Sequence, residues 1–534
     1  MNPRFVPTDR ALRRMPLAAC VSSILALAMP SLASADSWVV NSCDEDAHST
    51  APGPNTGTLR WALDNATSPA VIDMTGLTDC IDSKITLATG ELNFGQDSVT
   101  INGPGASVLS IDGSAMNAVS GINRVLHHHT TGATLTIHDL AVTGGHISTS
   151  YAFVNGGCIF SQGNVVLVDS VVSGCHATNV SAGYLVKGGG IYSNGTVTLN
   201  NSRVHDNYAS ANYTAEAGGV FARYGLTLTS GSSIDHNSAV ASFKSAVGAG
   251  AYVLGSLSLT NSTLGYNTLS APYFADGGGA FAYGGLSAQY STIDHNSAIS
   301  SSNHGCGGGI DAGGVTAVTN STISSNSATN VGGLCASETL TITNSTISGN
   351  SGDGIGGGVY AFAETVRVYN STIAFNTAGT NTVAPGLAVT SYGGAISLTL
   401  QSSVLSNNTY ASSEIDLSAA GGSVSLSGNN NLVRAPAPGT EVPTDTIQAV
   451  CPLLGPLRDN GGPTKTHALF STSPAIDVGN STVVSDFDQR GSAATNGVRD
   501  YLRISGPKAD IGAYEVQQDD VVFDASFEGC PPLA

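Results

Sequence analysis

The sequence predicts an all-β chain wound as a parallel β-helix with a small cap at each end, and three observations carry that expectation. Glycine is 65 of 534 residues yet follows no Gly-X-Y period. From Gly156 to about Asn408 one phrase recurs: two or three glycines, an aliphatic residue, usually an aromatic, a short alternating stretch, then Asn-Ser-Thr-Ile-x-x-Asn. No copy contains a ten-residue helical pattern, and each is shorter than the ~40 residues of a propeller blade, which excludes helical and leucine-rich solenoids and propellers.

The elements follow in chain order. Met1 to Arg14 carries four arginines and one acid, Met15 to Ala28 is apolar, and Ala33-Ser34-Ala35 offers an A-x-A cleavage site before Asp36, so residues 1–35 are expected to be a signal peptide. No other stretch approaches 18 apolar residues, and no transmembrane segment is expected in the mature chain. Residues 36–71 are expected to cap the first coil through a brief amphipathic helix from Thr58 to Asn65, with Leu59, Ala62 and Leu63 at i, i+3, i+4. Coils are expected over residues 72–432, since Ile85-Thr86-Leu87, Val99-Thr100-Ile101 and Leu135-Thr136-Ile137 already alternate as the later copies do. Residues 433–534 form a C-terminal segment expected to cover the last coil.

Within a copy, Leu340 and Ile342 alternate with threonines, which puts aliphatics on one face of a three- to five-residue strand. One copy per coil stacks identical positions roughly 4.8 Å apart. The closing asparagines Asn207, Asn237, Asn267, Asn296, Asn326, Asn350, Asn376 and Asn407 should then point inward and hydrogen-bond to one another as a ladder, with Cys175 in the same slot one coil earlier.

After residue 35 eight cysteines remain, an even number that suits an oxidising compartment. Sequence proximity suggests Cys43–Cys80, Cys158–Cys175, Cys306–Cys335 and Cys451–Cys530, although spacing alone does not fix connectivity. Fifteen basic against 37 acidic residues, a net of about −22, leave no basic patch for nucleic acid or an anionic membrane.

Three resemblances follow from these phrases. The Gly-Gly-aliphatic and x-x-Asn repeats resemble those of the chlamydial polymorphic outer membrane proteins. Ile101-Asn102-Gly103-Pro104-Gly105-Ala106 and Ile111-Asp112-Gly113 are similar to secreted bacterial right-handed β-helix proteins, which implies the right hand here. Pro452-Leu453-Leu454-Gly455-Pro456-Leu457, Asp459 to Thr464, Ser473-Pro474-Ala475-Ile476-Asp477, Asp488-Gln489-Arg490-Gly491 and Asp510 to Glu515 resemble the C-terminal region of the choice-of-anchor Q proteins. Together they imply a secreted or cell-surface protein, on a Gram-negative outer surface or extracellular. The roughly 125 residues after the repeats lack barrel-strand alternation and are too few for an autotransporter pore.

Function is read less directly. Phe160, Tyr192, Phe221, Tyr252 and Phe281 directly follow the Gly-Gly-aliphatic unit in five successive coils; if the aliphatic points in, the rings point out, either toward sugar faces or stacked on each other. The turns Tyr208 to Ala217, Ser238 to Val247, Thr268 to Asp276 and Ser297 to Cys306 are the longest, carry Tyr208, Tyr213, Phe243, Tyr273, Phe274 and His304, and are expected to form a wall beside that column. The expectation is a non-catalytic β-helix that binds glycan or a host or cell-surface component as an adhesin, with no cofactor. The alternatives are a polysaccharide lyase or hydrolase and a structural stalk. The enzyme reading rests on Asp235-His236-Asn237 and Asp294-His295-Asn296, two coils and so roughly 9.6 Å apart, near the upper end for paired carboxylates of an inverting glycosidase. His127-His128-His129 reads as a polar loop without a neighbouring carboxylate to complete a metal site.

Overall fold

The computed structural model describes residues 35–45, 56–116, 121–150, 153–181, 183–302, 305–379, 383–391, 393–411, 413–480, 485–518, 520 and 530. The expected signal peptide up to Ser34, His304 and the tail 521–529 lie outside the described residues. The fold is an all-β solenoid of about 12 turns built from stacked parallel sheets, with 3% helix. No helix among the described residues is long and apolar enough to cross a membrane.

One coil shows how the sequence phrase folds. Gly225–Thr229 lies in a 15-stranded sheet A, Ser233–Asp235 in a 13-stranded sheet B, Ser238–Ala241 in a 12-stranded sheet D, Ser245–Val247 in a five-stranded sheet E, and Ala251–Val253 in a 12-stranded sheet C. The next coil repeats this in strict register: Leu226 over Leu257, Ile234 over Leu264, Ala239 over Leu269, Ala246 over Ala275 and Tyr252 over Phe281. Sheets A, B and C enclose the main core, filled by inward residues such as Leu226, Leu228 and Ile234. Sheets D and E leave that core as a flap and return to it, closing over a second, alanine-rich core that includes Ala209, Ala215, Ala239, Ala246 and Ala275.

The flap corrects one expectation. Tyr208 to Ala217, Ser238 to Val247 and Thr268 to Asp276 are not turns; each supplies one strand to sheet D and one to sheet E, and Ser297–Ser300 continues sheet D. Their inward residues are mostly alanine because the two sheets lie close, so the apolar alternation that announces a strand is faint there. After the coil closed by Asn326 the flap shrinks to two-residue strands in sheet D, at Ser327–Ala328, Ser351–Gly352 and Thr377–Ala378.

The neck between flap and main core explains the glycine pairs. A Cβ on Gly189 would lie 2.6 Å from the carbonyl oxygen of Tyr208, and one on Gly190 would lie 3.0 Å from Asn207 Cγ. The two sides of the neck therefore touch only where one side has no side chain.

At the N-terminus helix α1, Leu59–Asn65, starts at Thr58, whose hydroxyl accepts from Trp61 N at 3.2 Å, and buries Leu59, Ala62 and Leu63. Asp36–Val40 and Thr56–Gly57 form the edge of sheet A beside it. At the other end the structure differs from a simple plug. The stretch around Pro436 and Ile447 bridges the final coil, through Leu417 and Leu432. Residues 452–480 and 485–517 turn back as a strap along the outer face of sheet B, where Ala374, Val404 and Leu432 pack on Leu454, Leu469, Ala475, Ile511 and Tyr514. Inside the strap, Arg490 is sandwiched between Tyr501 and Tyr514 at 3.9 Å each and pairs with Asp488 at 2.7 Å.

Candidate functional site

The neck is lined by an unbroken run of buried amides. The main-chain N–H and Nδ2 of Asn207 both donate to Asn237 Oδ1 at 3.1 and 2.9 Å, and the same pair of bonds repeats through Asn267, Asn296, Asn326, Asn350 and Asn376. The second Nδ2 hydrogen of each of these asparagines goes to a carbonyl on the sheet-B strand of the preceding coil, as Asn350 to Ile323 at 3.0 Å. The run passes next to Asn408, not Asn407: Asn376 Nδ2 donates to Asn408 Oδ1 at 2.8 Å. Asn407 sits one residue early, at the left-handed corner (φ 59°) that His236 and Tyr266 occupy in their coils, so its side chain leaves the ladder.

Both ends of the run are closed by chemistry. Cys175 N donates to Asn207 Oδ1 at 3.1 Å, and Cys175 is bonded to Cys158, which stands where later coils have the second glycine. At the far end Asn408 donates twice to Asp416 Oδ1, at 3.1 and 2.8 Å, and no further donor is needed. Burial, then the neighbouring Glu414, pushes the Asp416 carboxyl well above its ordinary range. The remaining disulfides are Cys43–Cys80, Cys306–Cys335 and Cys451–Cys530. Sequence reading missed a second ladder at the corner between sheets A and B, where Ser291 N donates to Ser321 Oγ, Ser321 N to Ser345 Oγ, and Ser345 N to Ser371 Oγ. The signal was present in the fixed serine of each Asn-Ser-Thr phrase.

The aromatic column lies outside the main core on sheet C, as alternation requires, but its rings face one another. Phe160, Tyr192, Phe221, Tyr252 and Phe281 stack at centroid distances of 5.2, 5.0, 5.4 and 5.3 Å with planes 8 to 20° apart. Near-parallel rings at that spacing overlap, so each face within the stack is taken by a neighbour. Lys187 and Arg124 lie over Phe221 and Phe160 at 4.8 and 4.9 Å, and His127 meets Phe160 edge-on at 4.8 Å. Phe221 is only 2% exposed. Burial, and secondarily Glu216, pushes the Tyr252 phenol to about 12. In the next coil Asp311 takes the place in register with Phe281, and burial followed by the Asp276 carboxylate pushes it to about 8. Along the column each ring packs on its neighbours, and Tyr192, Tyr252 and Phe281 stay partly exposed.

The exposed rings are instead at the tip of the flap. Phe153, Tyr184, Tyr213, Phe243 and Tyr273 fall in five successive coils where sheet D turns into sheet E. Phe153 and Phe243 are 60% and 70% exposed, with Tyr273 close behind. Their mutual angles vary: Phe153 and Tyr184 are edge-to-face at 5.7 Å, Tyr273 and Phe274 likewise at 4.7 Å, while Lys244 lies over Tyr213. Tyr213 and Phe243 lie nearly parallel but 6.3 Å apart, so the tip rings are packed less closely than those in the sheet-C column.

The two Asp-His phrases lie on the outer edge of sheet B. His236, Tyr266 and His295 stack in that order at 4.9 and 4.7 Å with planes 7 and 8° apart, and all three are close to half exposed. Asp235 accepts from Arg203 Nε at 2.9 Å, His236 Nδ1 at 2.8 Å and Ser233 at 2.7 Å. Burial works to raise the Asp235 carboxyl, but the bonds from Arg203, His236 and Ser233 outweigh it and hold it at about 2. Asp294 bonds His295 Nδ1 at 3.1 Å and leans over Gly265, where a Cβ would come within 2.9 Å of its Oδ1. A general acid needs a carboxyl held protonated at working pH, and Asp235 is the reverse.

The triple histidine also differs from expectation. His127 and His128 are in a sheet-C strand, not a loop, and a carboxylate is at hand: Glu91 pairs with His127 Nδ1 at 2.8 Å and with Arg124 at 2.7 Å. His128 is buried against Ser161 and the Gln96 carbonyl, while His129 bonds Asn93 at 2.8 Å. Among the described residues no group of three His, Cys, Asp or Glu side chains is placed to hold a metal ion.

The chain matches no known family model and no curated protein.

Proposed function

We propose that this chain is an exported, non-catalytic β-solenoid of the secreted or cell-surface kind that binds a glycan or a neighbouring surface component along the flap tip. The observation that carries this reading is the row of exposed rings at Phe153, Phe243 and Tyr273, displayed on a doubly sheeted flap that is stiff where loops would be soft. Four disulfides support an oxidising compartment. The resemblances to choice-of-anchor Q and polymorphic outer membrane repeats support surface location in the same sense. Sparse charge on the flap implies that binding, if tested against salt, changes little.

Affinity electrophoresis against neutral and acidic polysaccharides tests the reading, with Phe243→Ala and Tyr273→Ala beside the native chain. Each truncation is expected to leave the melt intact and weaken retention by about fivefold, the equivalent of roughly 1 kcal/mol per stacked ring. Unaltered retention in both would refute the flap tip as the contact. The enzyme alternative makes a different demand: unsaturated products or new reducing ends, abolished by Asp235→Asn.

A further inference from the structure

The strap of residues 452–480 and 485–517 holds sheet B in two chemically unlike ways. Its base is mainly apolar, the cluster of Val404 and Leu432 with Leu454, Leu469, Ile511 and Tyr514, joined by the bonds of Gly512 N–H to the Ser402 carbonyl and of Ala513 N–H to Thr372 Oγ1. Its tip is polar: Thr322 Oγ1 donates to the Lys465 carbonyl at 2.6 Å, Asn320 and Asn344 donate to the carbonyls of Asp488 and Phe487, and Thr346 donates to Gln489 Oε1 at 2.6 Å. Apolar contact has no equivalent partner in water, whereas each of these hydrogen bonds exchanges for one to water at small net expense. The tip is therefore the part that opens first.

His467 stands at the boundary between the two. It is 2% exposed, and each ring nitrogen binds a different body: Nδ1–H donates to the Gly455 carbonyl of the strap at 2.6 Å, and Nε2 accepts from Ser348 of the solenoid at 2.8 Å. The remaining neighbour is the Phe375 ring at 5.0 Å. In the sheet-B register Ser348 lies between Ser324 and Ala374, with Asp294 one coil beyond Ser324, and the strap's Arg458 and Lys465 are exposed. Asp510 and Glu515, whose carboxyls burial pushes upward, bond the strap's own backbone and bear on its internal fold. A proton on His467 would thus place a cation at the interface with no carboxylate to meet it, and would turn Nε2 from acceptor to donor against Ser348.

We propose that residues 452–480 and 485–517 form an acid-sensitive strap, hinged on its mainly apolar base, whose polar tip lifts from the sheet-B flank when His467 takes a proton. The lifted state uncovers Thr322, Thr346 and Ser348, a hydroxyl-rich strip continuous with Asp294 and the His236–Tyr266–His295 stack. Burial, opposed by the Gly455 bond, holds His467 at about 4 against an ordinary 6.5. The docked form therefore excludes the proton, and docking is full above pH 6.5 and weakens as pH falls toward 4.

Hydrogen exchange of the disulfide-intact chain, corrected for intrinsic rates, reads this directly in peptides covering 459–467 and 485–497. Opening of the tip should rise about tenfold between pH 7.5 and 5.5, while the base peptides around 472–476 and 509–514 stay protected. His467→Gln should open equally at both pH values. Ser348→Ala should open more at pH 7.5 yet keep the pH response, which separates loss of a bond from loss of titration. Tip protection unchanged between the two pH values, or tip and base opening together, would overturn the proposal.

Discussion

Replacing Asn350 by alanine removes four hydrogen bonds at once. Its Nδ2 donates to Ile323 O at 3.0 Å and to Asn376 Oδ1 at 2.9 Å, and its Oδ1 accepts from Asn326 N at 3.0 Å and Asn326 Nδ2 at 2.9 Å. Asn376 Oδ1 keeps a partner, because the main-chain N–H of residue 350 still reaches it at 3.0 Å. Two buried donors do not: the Asn326 N–H and one Asn326 Nδ2 hydrogen, while the Ile323 carbonyl keeps its place in the sheet-B ladder. At about 1–3 kcal/mol for each stranded polar group, and with water able to rescue some, the loss should be on the order of 3–5 kcal/mol. Asn407→Ala serves as the control, since neither side-chain atom of Asn407 has a partner, and it should shift stability by less than about 1 kcal/mol. Urea denaturation of the disulfide-intact protein gives the comparison, with exchange of peptides from the coils at 323–376 locating the damage. An Asn350→Ala midpoint equal to that of Asn407→Ala would show that the ladder contributes little, and that solvation of the neck had been underestimated.

Other outcomes follow from the same geometry. Cys158→Gly with Cys175→Asn rebuilds a glycine–asparagine rung in place of the disulfide, so the double variant should melt above Cys175→Asn alone. Phe221→Ala should lower stability by about 3–5 kcal/mol without changing glycan retention, because its ring is buried within the stack. Asp235, held at about 2 against an ordinary 3.8, contributes stability that is full above pH 4 and lost as pH falls through 2; Asp235→Asn should remove about 2 kcal/mol of that pH dependence, read as a flatter acid limb in melts. Gly190→Ala should be destabilising and curable by nothing on the surface, since its methyl would press on Asn207 Cγ and the Gly219 carbonyl, both at 3.0 Å.

The repeat made the solenoid legible because every coil writes the same strand alternation in large residues, Leu340 and Ile342 being typical. Thr58, the capped helix and the paired cysteines were legible for equally local reasons. The flap was not, because alanine fills its core and Tyr208-Ala209-Ser210-Ala211 reads as easily as a polar turn. Asn408, not the expected Asn407, carries the last rung because two asparagines adjoin there and only the backbone sign at 407 separates corner from ladder. The column at Tyr192 and Phe221 was placed on the correct face, yet its exposure depends on ring tilt and on sheet E, neither of which spacing encodes. The strap's path lay beyond reach: Gln489 meets Thr322 and Thr346 from more than 140 residues away.

The ladder in the neck also has a direction. Each asparagine gives its main-chain proton and one of its two amide protons to the next rung, so the amides from Asn207 to Asn408 point one way and polarise one another along the axis. Such a row can be lengthened only from within. A coil inserted between Asn237 and Asn376 finds a donor in the coil before it and an acceptor in the coil after it, whereas one appended after Asp416 meets a carboxyl in place of the amide and a main-chain N–H already given to the Ala435 carbonyl. Whole coils can thus be added to the ladder only in its interior, and the ladder's length is set by where one cysteine, Cys175, and one aspartate, Asp416, stand.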